Sequence, residues 1–294
     1  MNSGAVLAKR SPADLQAEAE FKDWLRRLVK GTAELHALEA GQVDAVMDPA
    51  SGSAILLPDA QAALQNSSNH LLAALPAKEF ERLRASLETV KLTYGEVLYE
   101  PGDRIRHVYF PTDCLVSLLT TVEERALEVG LVGREGMVGS SLALGIAISP
   151  VRVLVQGTGT ALRIKSARFL LEFRRSAALR RVLLHFTGAL IIQISQTAAC
   201  NRFHIVQARL ARLLLMTRER LPSNAFYLTH AFLADILGVH RAGVTLAASA
   251  LQRRKLIRYR RGAITILDRQ GLEAAACSCY RQVQLMTRGG LKKT

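Results

Sequence analysis

With 294 residues, 49% of them apolar, the chain is long enough for about two domains with real cores. Its four scattered cysteines, with no apolar run behind a basic N-terminus, argue against a secreted, disulfide-framed protein. The formal net charge of +14 is unevenly placed: residues 1–200 hold 22 Lys/Arg against 21 Asp/Glu, and residues 201–294 hold 17 against 4. An excess confined to the last third suits a polyanion-binding module there. A membrane-surface segment would show the same balance, but no long basic amphipathic helix with exposed aromatics accompanies it. The most apolar window, Val182 to Ile194, is too short to cross a bilayer.

Residues 1–69 are expected to form a helical extension and a linker. Apolar residues recur at helical spacing from Pro12 to Leu38, turn signals follow at Asp48-Pro49 and Ser51-Gly52, and the polar run Gln65 to Asn69 reads as a connector. From His70 to Leu92 the spacing of Leu71, Leu72, Leu75, Phe80, Leu83 and Leu87 predicts one or two short helices. The texture then changes. Short β-rich runs at Val97–Tyr99, Val108–Phe110, Leu115–Val122, Ala126–Val132, Val151–Gln156 and Ala161–Ile164 predict a sandwich or barrel.

Ala177 to Cys200 is apolar on two faces, with Leu179, Leu183, Phe186, Leu190 and Ile194 on one and Val182, Ala189, Ile192 and Ala199 on the other. A helix of about 24 residues is roughly 36 Å long. Two stripes suggest two partners, the barrel and a second copy of the chain; burial within one subunit is the alternative. Ile205 to Arg220 is a second amphipathic helix, with Leu210, Leu213 and Leu214 inward.

Thr229 to Ile257 reads as a helix-turn-helix. Thr229 caps a first helix with Phe232, Leu233, Ile236 and Leu237 on one face, Gly238 supplies the left-handed turn, and Val239 plugs the angle. The second helix starts near His240, with Val244, Leu246, Ala247, Ala250 and Leu251 as apolar contacts and Arg241, Thr245 and Ser249 on another face. Leu256–Tyr259 and Ala263–Leu267, joined through Arg260-Arg261-Gly262, form the hairpin of a wing. Asp268 caps a last helix through Tyr280, before a basic tail at 282–294.

The segment TYGEVLYEPGDRIRHVYF, with Gly95, Leu98, Tyr99, Gly102 and Asp103 in place, then GREGMVG at Gly133–Gly139, the long helix and the helix-turn-helix together resemble the Crp/Fnr-type regulators over residues 70–280. The resemblance implies an α+β chain: a helical N-terminal extension (1–69), a β jelly-roll sensor domain (70–176), a long dimerisation helix (177–201), a C-terminal winged helix-turn-helix domain (202–281) and the tail. It implies a homodimer, for which Leu179, Val182, Phe186, Ala189 and Ile192 are the candidate contacts. It also implies double-stranded DNA as partner, with RNA polymerase as a further candidate and no membrane, in the cytoplasm.

In that family the recognition helix opens with a polar residue, an Arg and often an acid; here stand His240, Arg241 and Ala242. Arg241 is the first choice for a bidentate contact to guanine, and His240 and Thr245 are the other base-reading candidates. Thr229, Arg253, Arg254, Lys255, Arg258, Arg260 and Arg261 are candidates for phosphate contacts. With Ala242 in place of the acid, readout of cytosine by a carboxylate is absent.

Cyclic-nucleotide binders of this fold hold the ribose with a carboxylate just after the cassette Gly and the phosphate with an Arg at the next strand. The matching positions are Ser140 and, after a one-residue gap, Ser149, while Arg152 falls on the opposite strand face. The candidate effector pocket (Gly139, Ser140, Ser141, Ser149) thus has no charged anchor, and burying a phosphate without a cation is costly. The expectation is a DNA-binding regulator without cyclic nucleotide or identified cofactor; a cyclic-nucleotide-responsive regulator and a winged-helix protein-interaction module are the alternatives. No metal site is expected, because Cys277 and Cys279 have their nearest partners far off in sequence and His107, His185 and His204 read as satisfied core residues. No catalytic motif appears, and Gly95 to Ile164 contains only His107.

Overall fold

The computed structural model describes residues 45–47, 54–56 and 69–289, apart from 124 and 222. The N-terminal unit is represented by two short strands, β1 (Ala45–Met47) and β2 (Ala54–Leu56), paired antiparallel with Met47 opposite Ala54. They bracket the two turn signals, so this part of the expected helical extension is a hairpin. The helix expected over 12–38 and connector residues 65–68 lie outside the described residues.

Asn69 corrects the linker reading. It is fully buried, and its side-chain oxygen accepts from the Leu71 and Leu72 amides at 3.1 and 3.3 Å, capping α1 (His70–Ala73). Its amide nitrogen donates to the carbonyls of Pro111 and Gly136 at 2.8 and 3.0 Å. One short polar side chain thus pins the start of the second unit to two distant loops. After α2 (Ala77–Arg84) comes β3 (Glu88–Leu92), within a stretch whose spacing suggested helix. Its register against a strand 70 residues later decides the matter, a long-range pairing that local periodicity does not contain.

The remaining strands are β4 (Val97–Tyr99), β5 (His107–Pro111), β6 (Leu115–Val122), β7 (Arg125–Val132), β8 (Arg152–Gly157) and β9 (Gly159–Lys165). They form two antiparallel sheets, ordered β3-β9-β5 and β4-β8-β6-β7. Val108, Phe110, Val116 and Val155 are fully buried in the shared core. Inside the four-stranded sheet, Ser117 lies between Glu128 at 2.8 Å and Gln156 at 2.6 Å, all three buried.

The chain then forms α3 (Ser166–Arg175) and α4 (Ala177–Phe203). The Ser176 hydroxyl accepts from the Leu179 amide at 2.8 Å to cap α4. At 27 residues, about 40 Å, α4 outruns the apolar window read from sequence and as a whole is long and apolar enough to cross a membrane. One face, however, is committed to protein. Leu179, Leu183, Phe186 and Leu190 enter the barrel core, and Gln193 exchanges hydrogen bonds with the backbone of Leu131 on β7.

The C-terminal part consists of α5 (Val206–Arg220), β10 (Ala225–Tyr227), α6 (His230–Leu237), α7 (Arg241–Arg253), β11 (Ile257–Arg260), β12 (Ala263–Ile266), α8 (Arg269–Ala275) and α9 (Cys279–Gly289). The expected last helix is two: Asp268 caps α8, accepting from the Gly271 amide at 2.9 Å, the helix breaks at Ala276, and α9 continues into the expected tail. The head packs on the barrel without a spacer. Arg220 pairs with Glu135 at 2.6 Å, and Tyr94 sets its ring edge-on to Tyr227 and Phe232 at 6.0 and 5.9 Å.

Candidate nucleic-acid interface

The turn between α6 and α7 is built as its residues dictate. The Thr229 hydroxyl accepts from the Phe232 amide at 3.1 Å, so this side chain serves first as the cap of α6. Gly238 ends α6 at φ +61°, and a Cβ there would stand 2.9 Å from the Leu127 side chain on β7. Val239 is half-buried in the angle, as expected. Leu233, Ile236 and Leu237 of α6 and Val244, Ala247, Ala248 and Leu251 of α7 share one core with α5.

What α7 leaves outside is Arg241, Ala242, Thr245, Leu246 and Arg253, with His240 exposed at its N-cap. Leu246 corrects the sequence reading: it is 73% exposed, and Ala248 takes the inward place. A leucine on the outward face of a reading helix offers an apolar contact of the kind a thymine methyl accepts. Helical periodicity placed it with the core because Val244 and Ala247 flank it. The Thr245 hydroxyl donates to the Arg241 carbonyl at 3.1 Å and lies 3.0 Å from Nδ1 of His230, so it is already engaged. His230 packs against the Tyr259 ring at 4.5 Å; burial and the Arg241 charge lower its pKa.

The wing turn is Arg261-Gly262, at φ +49° and +87°, between β11 and β12. A Cβ at Gly262 would meet the Tyr227 ring at 2.5 Å, so the tip closes only over glycine. β10 adds a third strand beside β12 that the sequence reading did not include. Arg253, Arg254, Lys255, Arg258, Arg260 and Arg261 are all exposed, and none pairs with a carboxylate among the described residues. Thr229, Arg241, Arg261 and Gly262 line one concavity between α6, α7 and the wing.

The effector candidates differ. Gly139, at φ +88°, precedes a short 3-10 turn, Ser140–Leu144, in which Ser140 and Ser141 are half-buried. Ser149 is buried, but its hydroxyl donates to the Val151 carbonyl at 2.7 Å and its backbone bonds Gly102 and Asp103. Arg152 pairs with Glu100 at 3.2 Å on the surface. No cation from this segment faces inward among the described residues.

The dimer stripe is also redrawn. Leu179 and Phe186 are buried in their own barrel core and are not available to a second copy, while Val182, Ala189 and Ile192 are half-buried. Along the middle of α4 the outward large apolar residues are Leu184, 55% exposed, and Ile191, 56% exposed, with Gly188, Ser195 and Ala198 at the same helical spacing, and Phe203 is exposed at the helix end. A helix apolar on every side cannot announce which face its own domain will take. The fold also carries Cys277 and Cys279 onto Cys200 and His204, which lie far apart in sequence.

Residues 208–275 match the family model of the Crp-like helix-turn-helix domain. No curated protein matches the chain in sequence. Among solved structures, the chain is similar to FixK2 from Bradyrhizobium japonicum (TM-score 0.57, 15% identity, 65% of this chain and 98% of that one). It is similar to a putative Crp/Fnr-family transcriptional regulator from Eubacterium rectale (TM-score 0.55, 18% identity, 71% and 98%). It is also similar to CLP, the c-di-GMP-responsive global regulator of Xanthomonas campestris (TM-score 0.53, 18% identity, 65% and 99%). At these identities the structural likeness speaks for the fold and the family model for the head. Residues 208–275 thus carry a Crp-like helix-turn-helix domain, and the barrel, long helix and head together share the fold of these solved structures.

Proposed function

We propose that the protein binds double-stranded DNA sequence-specifically as a homodimer on inverted half-sites, and that it does so without a cyclic nucleotide. The observation that carries this reading is the exposed face of α7, flanked by six cations that have no carboxylate partner among the described residues. Arg241 reads guanine through O6 and N7, while His240, Thr245 and Leu246 supply the neighbouring contacts. Arg253, Arg254, Lys255, Arg258, Arg260 and Arg261 hold phosphates, and Thr229 keeps α6 in register through its cap. The outward stripe of Leu184, Gly188, Ile191, Ser195 and Ala198 pairs with its copy, Gly188 allowing close approach. RNA polymerase, in the cytoplasm, is the protein partner through which such a regulator acts.

Selection from random duplex DNA at two salt concentrations tests the proposal. The expected product is an inverted repeat with half-sites about one helical turn apart, bound with a steep salt dependence of about −0.9 in log K per phosphate neutralised. A single unrepeated motif would overturn the dimer. Failure to retain duplex DNA at either salt concentration would favour the protein-interaction reading.

A further inference from the structure

We propose that Cys200, His204, Cys277 and Cys279 form a four-ligand site for one thiolate-preferring divalent ion, zinc by its chemistry, joining the end of α4 to the start of α9. The four ligand atoms all lie within 4.8 Å of one another. Cys200 Sγ stands 3.4 Å from Cys277 Sγ, and Cys279 Sγ stands 3.5 Å from His204 Nδ1. A tetrahedral zinc with Zn–S near 2.3 Å and Zn–N near 2.0 Å needs ligand separations of roughly 3.5–3.8 Å. The two closest pairs stand near single-ion spacing, and even the 4.8 Å limit is short for the ligands of a polynuclear iron–sulfur cluster.

The backbone explains the convergence. Cys200 and His204 are four residues apart, one turn along α4, and His204 is the first residue to leave the helix, which turns its ring toward the loop ahead of α9. Cys277 lies in that loop and Cys279 opens α9 two residues later, and both are buried against Cys200. All three cysteines are buried and packed together with Ala208, and Cys114, the remaining thiol, sits apart in the barrel core.

The surroundings supply an independent argument. Arg209 and Arg212 are buried beside the cluster, neither has an ion pair with a carboxylate among the described residues, and the Nε of each has no partner. Three thiolates and a neutral imidazole around a divalent ion carry a net charge of −1, a counter-charge set beside these guanidiniums. Gln196 Nε2 donates to Cys279 Sγ at 2.9 Å, the outer-shell hydrogen bond that orients a metal thiolate. Arg209 also donates to the carbonyl of Leu237, the last residue of α6, so the site stands one side chain from the helix-turn-helix. On binding, the ion takes the thiol sulfurs as thiolates and their protons pass to solvent.

The test uses the full chain, purified under reducing conditions. Elemental analysis should find about one zinc per chain. Replacement by cobalt(II) should give the visible d–d bands of a tetrahedral centre with thiolate-to-cobalt charge transfer in the near ultraviolet, whether or not DNA is bound. Cys200→Ser and Cys279→Ser should abolish these bands and Cys114→Ser should keep them, while Gln196→Ala should weaken affinity by about 10–100-fold. A full chain that takes up neither zinc nor cobalt, or that shows a Cys200–Cys277 disulfide in place of the ion, overturns the proposal. The wild-type cobalt spectrum decides this even where a variant fails to fold, and DNA binding without metal would leave the proposed function standing.

Discussion

The reading face of α7 and the cassette segment at 139–149 occupy matching positions in the logic of this fold, one at the output and one at the input, yet their chemistry is opposite. Around α7, cations stand in solvent without carboxylate partners among the described residues, and a leucine is left outside. In the cassette, the Ser149 hydroxyl is bonded to backbone and Arg152 is held at the surface by Glu100. Unsatisfied groups mark where a ligand is awaited; satisfied ones mark where the chain has closed on itself. The comparison teaches that the head presents unpaired cations to solvent while the segment at 139–149 presents no inward charge among the described residues.

The largest effect expected concerns a buried group in neither region. Burial pushes the Glu128 carboxyl up to about 7, against the hydrogen bond from Ser117 and the charges of Arg212 and Arg220, which pull it down. The folded state then holds a proton that the unfolded chain releases near pH 4.5. This contribution is full below about pH 4.5 and falls away as the pH rises toward 7, by about 3 kcal/mol in all. Urea unfolding at pH 5 and pH 8 should show that loss in the wild type and much less of it in Glu128→Gln. Equal slopes would mean that the barrel has no titrating element beside α5.

Next in size, Arg241→Ala should cost about 1–3 kcal/mol on the selected site and relax preference at one base pair per half-site, as binding titrations on single-base variants would report. A uniform loss across all sequences would demote Arg241 to a phosphate contact. Arg258→Ala is the converse: affinity should fall alike on every sequence, with a salt slope shallower by about 0.9 per head. The smallest expected effect is none. Calorimetry with cyclic AMP should give no binding heat, and a measurable one would return the cassette to the list of working sites.

The sequence made the head more legible than the rest, because its signals are local. The Thr229 cap, the Gly238 turn, the Arg261-Gly262 hairpin and the charge excess each sit within a few residues of what they determine. Strands β4 to β9 were readable for the same reason. Resolved only in three dimensions were β3, whose register depends on β9; the inward face of α4, where every stripe is apolar; and Leu246, whose neighbours are core. The Cys200 cluster lay beyond sequence reading because 77 residues separate Cys200 from Cys277.

Gly238 has a mechanical consequence. Its α-carbon faces Leu127 so closely that even a methyl group would collide, which leaves the turn of the helix-turn-helix in direct contact with a strand of the sensor sheet. The Leu127 side chain on β7 therefore meets the turn ahead of the reading helix with no segment in between. The barrel and the head share a contact surface, at Leu127 with Gly238 and at Tyr94 with Tyr227 and Phe232, so the turn and the sheet are neighbours without a linker between them.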